Sequence, residues 1–410
     1  MRRKHELTSV ELFTGAGGLA LGISEAGFRH KAVVELDTRA CDSLRENKTR
    51  VALMRDWPVH EADARTFDFA RFSGVDLCAA GTPCQPFSLG GKHRGDDDER
   101  NLFPIVLDAV RVIRPKVVLI ENVKGLLRSS FSDYLSYVLL RLSNPDLLIR
   151  RREQWQDHMS RLSTRLRRSG IADGGYTVGT FLLNAADFGV PQRRERVFIV
   201  AWRRDLQIRR EDFAPLLART HSSDMLLFAK WADGSYWRDH HMRDPLKQRA
   251  RPARESLLEQ PPSKWTQNRL RRLRSAATFL TGETRRWRTV RDALKGDDPL
   301  PEPSEHADNS MPNHWINPGA RAYTGHSGSP WDEPAKTLKA GDHGVPGGEN
   351  ILKLEDGSVR YFTIREAARL QGFPDEYVFQ GAWTRAFRQI GNSVPVGLSR
   401  IVAQAVAKLL

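Results

Sequence analysis

Cys84, Glu121 and two arginines, Arg194 and Arg196, are the residues of this chain whose types and surroundings suit covalent chemistry. Cys84 stands in "GTPCQPFSLGG", directly after Pro83 and before a run of glycines and small residues. The three cysteines, Cys41, Cys78 and Cys84, show no CxxC spacing, so neither a disulfide framework nor a metal site is expected. In a reducing compartment Cys84 stays a thiol, and it is a nucleophile where its surroundings stabilise the thiolate. The bland alternative is a small buried core thiol. That alternative suits Cys41, and Cys78 inside the apolar "VDLCAAG", better than Cys84, which comes after the strand has ended at Gly81 and Pro83.

Glu121 ends an apolar run in "LIENVKG". A carboxyl buried there is costly unless paired or protonated; the cost raises its pKa and leaves a group able to donate a proton. A surface carboxylate or a helix N-terminal acid is the competing reading. In "VPQRRERVFIV" the alternation of an extended strand puts Arg194 and Arg196 on one face. They form either a solvated basic patch or a pair of forks that hold a carbonyl oxygen and steady a loop.

The elements that position these residues alternate. "SVELFTG" reads as a strand entering a glycine turn, "GGLALGISEAGF" as a helix, "KAVVELD" as a strand and "ACDSLRENK" as a helix. Strands follow at "VDLCAAG", "KVVLIENV" and "RVFIVAW", with the helix "LFPIVLDAVRVIRP" between the first two. Such alternation predicts an α/β fold with a mostly parallel, doubly wound sheet, whose ligands bind at the carboxyl ends of the strands. Gly15, Gly17, Gly18, Glu35, Cys84 and Glu121 all fall at or just past strand ends, so one crevice is expected.

"FTGAGG" (Phe13 to Gly18) leads a strand into a helix, and Glu35 closes the next strand. Glycines admit a ligand close to the backbone, and the acid suits two ribose hydroxyls. The spacing is GxGG rather than GxGxxG and no phosphate binder stands nearby, which favours a nucleoside cofactor without phosphates. A tight strand-helix turn is the plainer reading. Asp63 in "HEADART" either accepts from an adenine amino group or is a turn residue.

The charge is uneven. The chain of 410 residues carries a formal net +14, and Arg203 to Lys295 holds 22 Lys and Arg against 11 Asp and Glu. A polyanionic partner is expected for that stretch, with solvated surface cations as the alternative. A second basic stretch, "IRRREQWQDHMSRLSTRLRRSG" (149–170), reads as a surface helix with no assigned role. The basic N-terminus lacks the apolar core of a signal peptide, and no run approaches the ~18 apolar residues of a membrane span, so no membrane association is expected.

Taken together, "ELFTGAGG", "GTPCQPFS", "ENV", "QRRERVFIV", "TIREAARLQGFPDEY" and "QIGNSVPVGLSRIV" resemble, in order, the motif blocks of the C5-cytosine DNA methyltransferase family, of the prokaryotic modification type. The blocks cover 9–202 and 361–403, and the basic segment between them matches no motif, as the family's variable target-recognition region would. The resemblance implies a methyltransferase fold with 1–202 plus 391–410 as the catalytic and cofactor-binding domain and 203–390 as a smaller, loop-rich recognition domain. It implies that S-adenosylmethionine is the methyl donor, becoming S-adenosylhomocysteine, and that the substrate is a cytosine flipped out of a specific double-stranded DNA sequence.

By motif match Cys84, preceded by Pro83, attacks carbon 6 and Glu121 assists at the ring nitrogen. Arg196 contacts the carbonyl oxygen of the base, and Arg194 orders the site. Phe13 stacks on adenine, Glu35 holds the ribose, Asp63 reads the adenine amino group, and Asn392 and Ser393 complete the pocket. The terminal helix is expected to pack back on the first domain. A cytoplasmic, nucleoid-associated monomer, paired with a separately acting restriction endonuclease, fits this reading. A tRNA-methylating branch of the same fold is the alternative. A nicotinamide-dependent oxidoreductase and an inactive DNA-binding module are more distant rivals.

Overall fold

Seven strands form the central sheet of the computed structural model, in the order β3-β2-β1-β4-β5-β7-β6. They are β1 (Thr8–Leu12), β2 (Arg29–Glu35), β3 (Val59–Glu61), β4 (Leu77–Gly81), β5 (Val117–Val123), β6 (Tyr176–Asn184) and β7 (Glu195–Arg203). The structure describes residues 6–83, 102–170, 174–243, 268–269, 271, 284–306, 311–323, 327–340 and 348–410. Strands β1 to β5 run parallel, and β7 runs antiparallel to β5. The reversal of β7 was not visible in its apolar run, because hydrophobicity carries no direction.

Helices cover both faces. Val10, Leu12, Cys78, Ala80, Val118 and Ile120 pack on α3 (Phe103–Ile113) and α4 (Ser132–Ser143), with Leu162 of α5 (Trp155–Ser169) joining the same core. The alternate residue Ser9 points the other way. Its hydroxyl lies 2.9 Å from His30 Nδ1, and His30 Nε2 lies 3.0 Å from the Ala20 carbonyl of α1 (Gly18–Glu25), so α1 covers the second face. The last helix, Val396–Leu409, packs against α1: Ser399 Oγ donates to the Leu19 carbonyl at 2.7 Å. A Cβ on Gly22 would lie 2.5 Å from the Arg400 nitrogen, so only glycine allows this approach.

The chain divides into two compact units, Met1–Leu183 with Glu195–Ala218 and Leu398–Leu410, and Asn184–Arg194 with Arg219–Gly397. These boundaries differ from the 202/203 and 390/391 divisions expected from the motifs. Residues past β7 stay with the first unit because Phe213 packs on Phe181 and Trp202, with ring centroids 5.2 and 5.0 Å away. The turn 184–194 goes with the second because Arg193 N donates to Ala335 O, and Ala335 N to Pro191 O.

Within the second unit the strands are short, and a buried polar cluster supports them. Arg291 Nε lies 2.6 Å from Asp332 Oδ1, which also accepts from Tyr236 OH at 2.8 Å. Lys230 Nζ donates to the Asp332 carbonyl at 3.0 Å. No helix among the described residues is long and apolar enough to cross a membrane.

Glu11 is a buried acid in the middle of β1, 0% exposed, with no side-chain partner and only the Ala20 backbone to offset its burial. Burial, with Glu35 adding repulsion, raises its pKa well above the ordinary 4.5. Because the folded pKa exceeds the unfolded one, folding takes up a proton above pH 4.5, and the native state loses stability as pH rises toward the folded pKa. Glu11→Gln removes that dependence. In urea melts from pH 4 to 8, the stability of the variant relative to wild type should stay flat at the acid end and climb with pH. A difference independent of pH would show that Glu11 is ionised in the fold.

Candidate active site

The carboxyl ends of β4 and β5 lie side by side, with Gly81 the register partner of Glu121. Thr82 Oγ1 donates to the Glu121 carbonyl at 3.1 Å. Asn122 Nδ2 donates in turn to Thr82 Oγ1 at 2.7 Å, and Asn122 Oδ1 accepts from the Val123 amide at 2.8 Å. Both side chains are buried, so these bonds compete with no water and hold the two strand ends together. Pro83 follows at once. Cys84 lies outside the described residues, as does the segment to Asn101.

The other two cysteines are buried, and burial pushes each thiol up to about 12. Neither is a thiolate near neutral pH, in keeping with the core role expected for them.

Glu121 is paired. Arg196 Nε lies 2.8 Å from its Oε1, with 11% and 8% of the two side chains exposed. The antiparallel β7 makes this contact possible, because its first residues lie where the parallel strands end and Arg196 is opposite Val123. Of the two ways to bury the carboxyl, the fold uses pairing with a guanidinium, which offsets its desolvation. Lys124 and Glu195 form a second ion pair at 2.8 Å beside it.

Arg194 does not share this site. It precedes β7, is 0% exposed and belongs to the second unit. Its guanidinium donates to the carbonyls of Leu338 at 2.8 Å, Gly391 at 2.6 Å and Ser393 at 2.9 Å. The shared strand face and the solvated patch expected from spacing are thus both replaced by a buried Arg194 and a mostly covered Arg196 with separate partners. Arg194 instead ties together the chain around Asn392 and Ser393. Ser393 Oγ donates to Gln389 O at 2.7 Å, and Asn392 is exposed at the end of the helix Trp383–Asn392.

The ends of β1 and β2 form the other half of the edge. Phe13, Gly15 and Gly17 all have positive φ, 57°, 57° and 80°, turning the chain into α1, which begins at Gly18. A Cβ on Gly15 would meet no atom within 4 Å, so the backbone there is open to a ligand, whereas Gly17 is closed against Leu44 and Trp57. Glu35 Oε2 accepts from the Gly15 amide at 2.7 Å, and Oε1 from the Leu36 and Asp37 amides at 2.8 Å. Three amides fix the carboxylate without using all its lone pairs. Asp63 caps its own turn, accepting from the Arg65 amide at 2.9 Å, and that bond holds its carboxyl below the ordinary range. Directly after it, Ala64, Phe67, Phe69, Ile105, Ala109 and Val112 line a hollow of about 300 Å³. The sequence reading missed Leu36, an apolar side chain 60% exposed beside Glu35. Its signal was a leucine where a strand had already ended. Among the described residues no His, Cys, Asp and Glu cluster suits a metal.

Lysine replacements separate the two arginines. One ammonium cannot span three diverging carbonyls, so Arg194→Lys should lower unfolding stability by about 1–3 kcal/mol. Arg196→Lys keeps a charge beside Glu121 and should cost less than about 1 kcal/mol of stability while slowing turnover on the order of 10²-fold. Urea melts and single-turnover rates on both variants check this; the reverse order would reject the division of roles.

Comparison with known proteins gives the family. The model of the C-5 cytosine-specific DNA methylase family matches residues 7–146 and 168–408. Type II methyltransferase M.NgoMIV of Neisseria gonorrhoeae is 30% identical over 406 residues, covering 99% of this chain and 98% of its own. Type II methyltransferase M.Eco47II of Escherichia coli is 30% identical over 406 residues, covering 98% of this chain and 79% of its own. Among solved structures, Spodoptera frugiperda DNMT2 aligns with a TM-score of 0.53 at 15% identity, covering 98% of this chain and 99% of its own, a likeness of fold. With both the motif edge and the full-length match in hand, the chain belongs to the C-5 cytosine-specific DNA methylase family and is an α/β methyltransferase enzyme.

Proposed function

We propose that this enzyme methylates carbon 5 of a cytosine flipped out of a specific duplex sequence, through a covalent bond between Cys84 and carbon 6. The observation that carries the reading is the Glu121–Arg196 pair beside the Thr82–Pro83 strand end that leads into Cys84. In this mechanism the Cys84 thiolate adds to carbon 6, and the electrons of the 5,6 double bond move into the ring toward the ring nitrogen and the carbonyl oxygen. With the base in place Glu121 carries a proton and donates a hydrogen bond to the ring nitrogen, and Arg196 donates to the oxygen, as negative charge develops there. Carbon 5, now enamine-like, takes the methyl group. Loss of its proton to a base and cleavage of the carbon–sulfur bond then restore the double bond and return the thiolate.

S-adenosylmethionine supplies the methyl group from a sulfonium and leaves as S-adenosylhomocysteine. The residues present fit it: the open backbone at Gly15 admits a nucleoside, and the fixed Glu35 carboxylate suits ribose hydroxyls. The glycine turn at Gly15, Gly17 and Gly18 brings the backbone close. Phe13 and Leu36 offer apolar surface to adenine, and Asp63 directly precedes Ala64 and Arg65, which line a hollow with both apolar and charged walls. By motif match Asn392 and Ser393 also serve the cofactor, and Arg194 holds the Gly391 and Ser393 carbonyls of that segment.

Sequence choice belongs, in this reading, to the second unit. Its cations divide into those already occupied, such as Lys230, Arg286 and Arg291 in ion pairs, and exposed ones with no ion pair among the described residues, such as Arg285, Arg288 and Arg321. The second group suits phosphates and base edges. The names of the relatives support a type II modification role, with a restriction endonuclease acting separately on the same sequence.

Cys84→Ser should abolish methyl transfer and spare duplex binding, and DNA with 5-fluorocytosine at the target should trap the wild type covalently. Glu121→Gln should lower turnover on the order of 10²-fold with little change in cofactor affinity, whereas Glu35→Ala should weaken cofactor binding. Labelled methyl should enter DNA and not tRNA. Near wild-type turnover by Cys84→Ser, or incorporation into tRNA alone, would overturn the reading.

A further inference from the structure

The basic stretch ahead of β6 is built as an arm. Arg114, at the end of α3, donates to the Gly174 carbonyl at 3.1 Å and pairs with Asp146. Both ends of the excursion 147–173 are therefore clipped at the amino edge of β5, which starts at Val117. β5 spans seven residues, roughly 20 Å, so this edge is well separated from the carboxyl edge that holds Glu121 and Arg196.

The arm is ordered by its own contacts. His158 bonds the Leu147 carbonyl at 2.8 Å and Tyr137 OH at 2.9 Å, while Trp155 packs on Tyr134 and Tyr137. Arg161 donates to the Leu148 carbonyl at 2.7 Å and grips Glu153 at 2.9 and 2.7 Å, folding the loop 148–153 against α5. Glu153 also accepts from the Arg150 amide, and the Arg161 bond holds its carboxyl down to about 2.

Glu153 is thus consumed inside the arm, and Asp157 is the one other acid between 149 and 170. Arg150, Arg151, Arg152, Arg165, Arg167 and Arg168 are all exposed and have no ion pair among the described residues. Two of them in the last turn of α5 complement the helix dipole. The other four have no such explanation, and protein surfaces ordinarily intersperse charges of both signs. Arg152 is held at φ 65°, a left-handed conformation that a bulky side chain adopts only when its surroundings impose it. All seven basic side chains other than His158 are arginine and none is lysine, which favours the forked recognition of phosphate oxygens.

We propose that this arm is a second nucleic-acid surface, which grips the phosphate backbone of duplex DNA independently of sequence while the carboxyl edge handles the target. The inference rests on the DNA-methyltransferase reading. A substrate that is a long polyanion keeps a further duplex segment at high local concentration once the target is engaged, so weak phosphate contacts suffice. The arm would raise retention on long DNA and leave the chemistry on a short target untouched.

The test uses the full chain with Arg150, Arg151 and Arg152, or Arg165, Arg167 and Arg168, replaced together by alanine, and again by lysine. Wild type bound to an immobilised target duplex should capture a second, non-target duplex. The alanine variants should lose at least ten-fold of that capture, and each lost phosphate contact should reduce the salt slope of long-DNA binding by roughly 0.9. The lysine variants should recover part of it, and all should methylate a short target duplex at the wild-type rate with unchanged thermal midpoints. Wild-type capture by the alanine variants would overturn the proposal. So would arm-dependent binding to vesicles containing phosphatidylserine with no capture of DNA, which would make the arm a membrane contact. Absence of methylation of short DNA by the wild type itself would instead strike the underlying functional reading.

Discussion

The proposed chemistry depends on two parallel strand ends being locked together by buried hydrogen bonds. Thr82 and Asn122 bind each other and the backbone flanking Glu121, so the residue before Pro83 cannot drift away from the acid. Nothing at the end of a strand would otherwise do this, since ladder bonds stop at Gly81 and Glu121. Arg196 adds a third point from β7, and it reaches the edge because β7 runs antiparallel to β5.

The same economy appears in the second unit, where charged groups are used as internal connectors. Arg194 satisfies three carbonyls that no helix or strand pairs. Arg365 does the same for the carbonyls of Pro312, Pro374 and Tyr377. A guanidinium has five donors in a rigid plane, so one side chain can close several loop carbonyls that would each be costly to bury alone. This accounts for a loop-rich unit with short strands having large, fully buried arginines in its interior.

Net charge therefore overstates the binding surface. Arg286, Arg291, Arg360 and Arg369 are all committed to carboxylates inside the second unit. The excess that remains outside is carried by scattered exposed arginines there, and by the arm at the far edge of the first unit, where six arginines meet little opposing charge.

Much of the first unit was legible in the sequence, because apolar runs, glycine turns and helical periodicity are local. β1, β2, β4, β5, α1, α2 (Thr38–Arg50) and α3 lie where those patterns put them. The positions of Glu35, Glu121 and Phe13 at strand ends followed as well. What spacing could not give was partnership. Arg194 and Arg196 stand two residues apart, yet one closes loop carbonyls and the other pairs an acid, since the strand begins between them. Glu11 reads as one more residue of an apolar strand, and its burial without a side-chain partner appears only when both faces of the sheet are covered. Sequence alone determined which elements form and which ends of them carry reactive groups, because those depend on near neighbours. Strand direction, register and the choice of ion-pair partner were decided by the tertiary structure, because each is set by a segment far away in the chain that brings its own geometry to the contact.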